Sequence, residues 1–200
     1  MPELANGEAE IESLRVRIYE PAFGIICDPH KRNPQTRQSA DHSLPYIVAS
    51  VLHKAMVAES RGELATTEVE LWKQLMLVPD DYSDEALQNG QIRKLMAKIE
   101  LEHGGEGFDA RYPEGIPTEV VLKHKSLGSQ TSGMVLFPIG HASGRQDVLE
   151  ELLRLKFQRL AQVGVRSPER VRGQLMGLAK LTADEIGRLY SFEIRSCSDC

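Results

Sequence analysis

The stretch that most restricts the fold begins at Ser43, where a hydroxyl side chain precedes Leu44 and Pro45 and a long amphipathic pattern follows. Serine accepts a hydrogen bond from the N–H groups that a helix start leaves without partners, and proline in the first turn has no N–H to lose. Leu44, Ile47, Val48, Val51, Leu52, Ala55 and Met56 then recur at the i, i+3, i+4, i+7 spacing of a core-facing helix. His42, Tyr46, Ala49 and His53 form a second stripe, which reads as a polar aromatic face. Such a helix must lie against an apolar surface, and the rest of the chain supplies strands for it.

Ile11 to Tyr19 alternates apolar and polar residues, the period of a half-buried strand, and Pro21 ends it. Phe23 to Cys27 is a short, strand-like apolar run in which Cys27 reads as a buried structural thiol. Asp28 to Pro34 is a loop with two prolines, and Val69 to Val78 is helical or extended. Ser83 to Leu87 opens a helix that Ile92, Leu95 and Met96 continue. Lys98 to Glu102, Thr118 to His124 and Gly133 to Phe137 read as strands. Ser143-Gly-Arg-Gln146 has capping-box spacing and predicts a helix carrying Leu149, Leu152, Leu153, Phe157 and Leu160 as far as Gly164. Ser167-Pro168 and Thr182-Ala-Asp-Glu185 mark two further helix starts. The order predicts an α+β class, with a mostly antiparallel sheet, flanking helices and a C-terminal helical extension. The expected division is a flexible leader over 1–10, an α+β domain over 11–144, helices over 145–193 and a tail over 194–200.

A net charge of −5 and a pI of about 5.7 exclude a general attraction to nucleic acid or anionic membrane. The first ten residues are acidic, and no apolar run approaches the roughly 18 residues of a membrane span, so a cytoplasmic chain is expected. Cys197-Ser-Asp-Cys200 has no second pair and no strand-to-helix context, so it reads as a frayed tail rather than a redox motif or cluster ligands. There is no P-loop, no G-x-G-x-x-G and no nucleophile motif. The histidines lack metal-ligand spacing, so no metal is expected.

One constellation carries chemistry. Lys31 and Arg32 sit in the proline loop, Arg37 follows, and His42 stands beside a helix start whose N–H groups favour negative charge. A di- or tricarboxylate leaving water requires donors of this kind. A solvated loop beside a helix cap is the competing reading.

The core Asp41-His-Ser-Leu-Pro-Tyr46, together with Phe137-Pro-Ile-Gly-His141, resembles the C-terminal half of the MmgE/PrpD family of 2-methylcitrate dehydratases and related lyases such as cis-aconitate decarboxylase. The resemblance spans Ile11 to Val163, and residues 60–78 look like an insertion within it. It implies cofactor-free acid/base chemistry beside a carboxylate, a place in propionate metabolism, and a cleft between a large helical domain and a smaller α+β domain. This chain resembles the smaller domain with C-terminal helices, truncated of the helical region in which the family's principal catalytic residues lie. Lys31, Arg32, His42, Tyr46 and His141 are then the expected substrate-binding residues. Asp41 and His42 are the candidates for proton transfer, although Asp41 equally suits a cap and His42 a loop support. The implied partners are a small di- or tricarboxylate and either a second copy or a separate helical subunit. The alternative is a non-catalytic binding or assembly module derived from the family.

Overall fold

The computed structural model describes residues 10–195, so Cys197 and Cys200 and nearly all of the acidic leader lie outside the described residues. The chain divides into two compact units, Met1–Gly144 and Arg145–Cys200.

The first unit is organised by β1 (Ile11–Ile18), whose Leu14, Val16 and Ile18 point inward as the alternation predicts. Then come α1 (Glu20–Ile26), a 3₁₀ turn (Pro29–Arg32), α2 (Arg37–Ala40), α3 (Leu44–Ser60), α4 (Glu68–Leu75), a second 3₁₀ turn (Pro79–Tyr82), α5 (Asp84–Leu87) and α6 (Gly90–Met96). The sheet is completed by β2 (Ile99–His103), β3 (Thr118–His124) and β4 (Gly128–Thr131), with α7 (Glu106–Asp109) between β2 and β3. Strand order is β2-β1-β3-β4. β1 pairs with β2 in parallel, Val16 opposite Leu101, and with β3 antiparallel, Val16 opposite Val120. The sheet is therefore mixed, not mostly antiparallel. The helices between β1 and β2 form a crossover that returns the chain in the same direction, which an antiparallel hairpin cannot do.

Leu14, Val16, Ile99, Leu101 and Leu122 share one core with Tyr46, Ala49, Leu87, Ile92, Leu95 and Met96. On α3 the deepest positions are Tyr46 and Ala49, both fully buried, whereas Leu44, Val48, Leu52 and Met56 are partly buried against the same core. The stripe expected to be polar thus supplies the tightest contact, because the small Ala49 permits close packing and Tyr46 fills a large volume. On the solvent side of β1, the Arg17 guanidinium donates to Glu119 Oε2 at 2.8 Å and lies 5.3 Å from the Phe108 ring centre.

Other expectations change locally. Phe23 to Ile26 belongs to helix rather than strand, because Pro21 falls in the first turn of α1, where it starts a helix instead of breaking one. Cys27 follows that helix and is only half-buried; burial still pushes its thiol pKa up, against the charges of Arg32 and Lys31. The segment after Ser83 is two helices, since Asn89 Oδ1 accepts from the Gln91 and Ile92 N–H groups and restarts the chain as α6. Gly133 to Phe137 contributes a single bridge, Val135 to Thr118; the regular fourth strand lies earlier, on wholly exposed polar residues with no hydrophobic pattern.

The second unit contains α8 (Gln146–Gly164), α9 (Pro168–Met176), a 3₁₀ turn (Leu178–Lys180) and α10 (Ala183–Gly187). Arg145, not Ser143, stands at the N-cap of α8, and Ser143 N–H instead donates to His141 Nδ1. Thr182 and Glu185 form the expected capping box. Val165 bridges Ile194. Among the described residues no helix is long and apolar enough to cross a membrane.

Ser43 both caps α3, accepting from Tyr46 N–H at 3.3 Å, and donates to the Lys31 carbonyl at 2.5 Å while fully buried. Ser43→Ala removes both bonds and is expected to lower stability by about 1–3 kcal/mol in urea denaturation. An unchanged midpoint would show that the cap contributes nothing.

Candidate functional site

The proline loop is built from local bonds, because it has no strand partner to satisfy its backbone. Asp28 Oδ1 accepts from His30 N–H at 2.9 Å, and Lys31 N–H donates to the Asp28 carbonyl. Pro34 is buried. Thr36 and Ser39 then form the capping box that starts α2, whose Ala40 carbonyl receives Ser43 N–H. The Ser43 hydroxyl closes the circuit on Lys31.

A residue from a distant helix locks this loop. Arg93 donates from Nε to the Leu87 carbonyl at 2.7 Å, from Nη1 to Asn33 Oδ1 at 2.8 Å and from Nη2 to the Pro34 carbonyl at 2.7 Å. Nothing in the sequence pattern relates Arg93 to Asn33, sixty positions earlier. The signal available was a pair of cations, Arg93 and Lys94, between the apolar residues Ile92, Leu95 and Met96, and it does not single out Arg93.

The expected site residues separate into distinct surroundings. Arg32 is exposed and lines a depression of about 250 Å³ with Asn33, Pro45, Arg93, Met96, Ala97 and Ile99. Lys31 donates its ammonium to the Ile25 carbonyl at 2.8 Å, which ties α1 to the loop. Arg37 is exposed on α2. Asp41 ends α2 instead of capping α3, and its Oδ1 meets His42 Nδ1 at 2.5 Å. That pair is solvated, with side-chain exposures of 47% for Asp41 and 75% for His42. Carboxylate-to-imidazole contact of this type orients the ring.

Tyr46 belongs to the core: its ring is fully buried and its hydroxyl donates to the Asp81 carbonyl at 2.6 Å. Burial raises the Tyr46 phenol pKa, with the Asp81 charge adding to it, so this group is a fixed donor at neutral pH. Asp81 is itself held by Lys54, whose ammonium reaches Oδ2 at 2.8 Å. His141 sits in a separate turn, its ring 5.2 Å from that of Phe137, and accepts from Ser143 N–H. With Nδ1 accepting, the neutral ring carries its proton on Nε2. Among the described residues no cluster of three or more His, Cys, Asp or Glu side chains is placed to hold a metal ion.

The first unit is thus an α+β domain presenting a braced, basic loop next to a capped helix start. The chain belongs to the MmgE/PrpD family: the family model of the MmgE/PrpD C-terminal domain matches residues 1–63 and 73–178. The match passes Val163, where the resemblance was expected to stop, and takes in α9. Its interruption falls within the segment expected to be an insertion and removes the start of α4. No curated protein matches the chain.

His53, on the stripe that carries Tyr46, is partly buried, and burial lowers its pKa below the ordinary imidazole value. As pH falls, the unfolded chain takes up this proton first, so stability is lost from about pH 6.5 downward toward the folded value. His53→Gln is expected to flatten the dependence of melting temperature on pH between about 7 and about 5. An unchanged slope would contradict this.

Proposed function

We propose that this chain is the C-terminal part of a cofactor-free carboxylate lyase of the MmgE/PrpD type, closing the active-site cleft and binding substrate carboxylates. Dehydration of 2-methylcitrate is the nearest family activity. The observation that carries the reading is the proline loop, braced by Ser43 and Arg93, which holds Arg32 on an exposed face. The exposed Asp41–His42 pair is the group suited to moving a proton there. Removing a proton next to a carboxylate requires a base and a partner acid at the same substrate, and a single wall of a cleft does not supply both.

The purified chain is therefore expected to show no dehydration of 2-methylcitrate and no decarboxylation of cis-aconitate by itself. Addition of the helical half of a relative should produce turnover, and Arg32→Ala in that complex should raise KM. Turnover by the lone chain, free of host enzyme, would overturn the reading.

A second reading, an assembly module, is favoured by α8 and α9. Leu153 is 56% exposed, Leu160 46% and Met176 69%, and these side chains line an apolar groove of about 780 Å³. Uncovered apolar surface of this kind marks an interaction face. Sedimentation of the lone chain is expected to show self-association that rises with concentration and that the pair Leu153→Glu, Leu160→Glu removes. A monomer at every concentration would count against it.

A further inference from the structure

We propose that the depression between the proline loop and α6 is a carboxylate-anchoring pocket in which Arg93 acts with Arg32. This deepens the reading of the chain as a carboxylate-binding wall and rests on it. Of the basic residues near the loop, Lys31 gives its ammonium to the Ile25 carbonyl, and His42 already faces the Asp41 carboxylate. Arg32 and Arg93 are different: both line the same depression, and among the described residues no Asp or Glu lines it.

Arg93 makes three hydrogen bonds, but their acceptors are two carbonyls and an amide oxygen, all neutral. They fix the plane of the guanidinium without cancelling its charge. Among the described residues these bonds use three of its five N–H groups. A half-buried cation held rigid beside a second cation, with no counter-charge among the described residues of the pocket wall, is a matched receptor for a carboxylate, which accepts from guanidinium in forked geometry. The volume, about 250 Å³, suits a small organic acid rather than a nucleotide. Pro45, Met96 and Ile99 supply apolar walls for its carbon skeleton.

Two roles of Arg93 must be separated, since it also braces the loop. Ala97 lines the pocket, is exposed and stands at the C-cap of α6, so Ala97→Glu introduces a carboxylate there without touching the brace. The experiment is calorimetric titration of the full chain with citrate, with thermal melts alongside, for wild type, Arg32→Gln, Arg93→Lys, Ala97→Glu, Asn33→Ala and His42→Gln. Wild type should bind saturably, and more weakly as salt rises. Arg32→Gln, Arg93→Lys and Ala97→Glu should each lose about ten-fold or more, the scale of a charge-assisted bond. Ala97→Glu should melt no lower than wild type. Asn33→Ala, which loosens the brace and keeps both cations, should lose less than Arg93→Lys. If Ala97→Glu and Arg93→Lys bind as wild type while Arg32→Gln and His42→Gln do not, the pocket is wrong and the loop-face reading survives. If wild type does not bind citrate, the pocket is wrong whatever the complex with a helical half then does. An Asn33→Ala loss equal to that of Arg93→Lys would reduce Arg93 to a brace and overturn its role as an anchor.

Discussion

The guanidinium of Arg93 is the constraint on which the candidate site depends. The proline loop carries backbone groups that no strand ladder satisfies, and proline near both ends removes donors that a ladder requires. Arg93 joins the Leu87 carbonyl, the Asn33 side chain and the Pro34 carbonyl through one rigid plane, so a helix in the core dictates where a surface loop stands. Ser43 makes the second attachment from the start of α3. Between them, Arg32 is carried on a segment with little freedom to lose, which reduces the ordering that binding would otherwise require.

The same helix start separates structural from chemical roles among neighbouring residues. Tyr46 is turned into the core, where its hydroxyl finds the Asp81 carbonyl, and Ser43 is consumed in capping. Asp41 and His42 remain outside, in contact with each other and with solvent. On the proposed function, recognition and proton movement fall to the exposed side of the α2–α3 corner, and the residues beneath it keep that corner in shape. The corner lies within the part of the chain that matches the MmgE/PrpD C-terminal domain, and the proposal that this domain forms one wall of a cleft uses this division.

How legible this was depended on the range of the interactions. The start of α3 was readable because serine, proline and the apolar spacing act within one turn of each other. β1 and β3 were readable from alternation and β-branched content. The parallel partnership of β1 with β2 joins residues some eighty positions apart, and neither strand states its neighbour's direction. β4 was missed because an exposed strand of glycine, serine, glutamine and threonine has no hydrophobic signature. The expected apolar stripe of α3 does pack against the core, but its deepest positions were missed because hydrophobicity ranks leucine above alanine, whereas close packing favoured Ala49. In the site, Lys31, Arg32 and His42 were visible as a cluster of types, but their separation by Ile25, Asp41 and the depression was not. Arg93 was invisible because its meaning is entirely tertiary.

The central claim is that the braced loop receives a substrate carboxylate, and arginine side chains report on this directly. Arg93 Nε–H is held by the Leu87 carbonyl, which slows its exchange and makes it observable by heteronuclear NMR. Titration of 2-methylcitrate into the labelled chain should shift the Nε–H resonances of Arg93 and Arg32 together, with one saturation curve. Saturable shifts confined to other arginines, or none anywhere on the proline loop, would contradict the account.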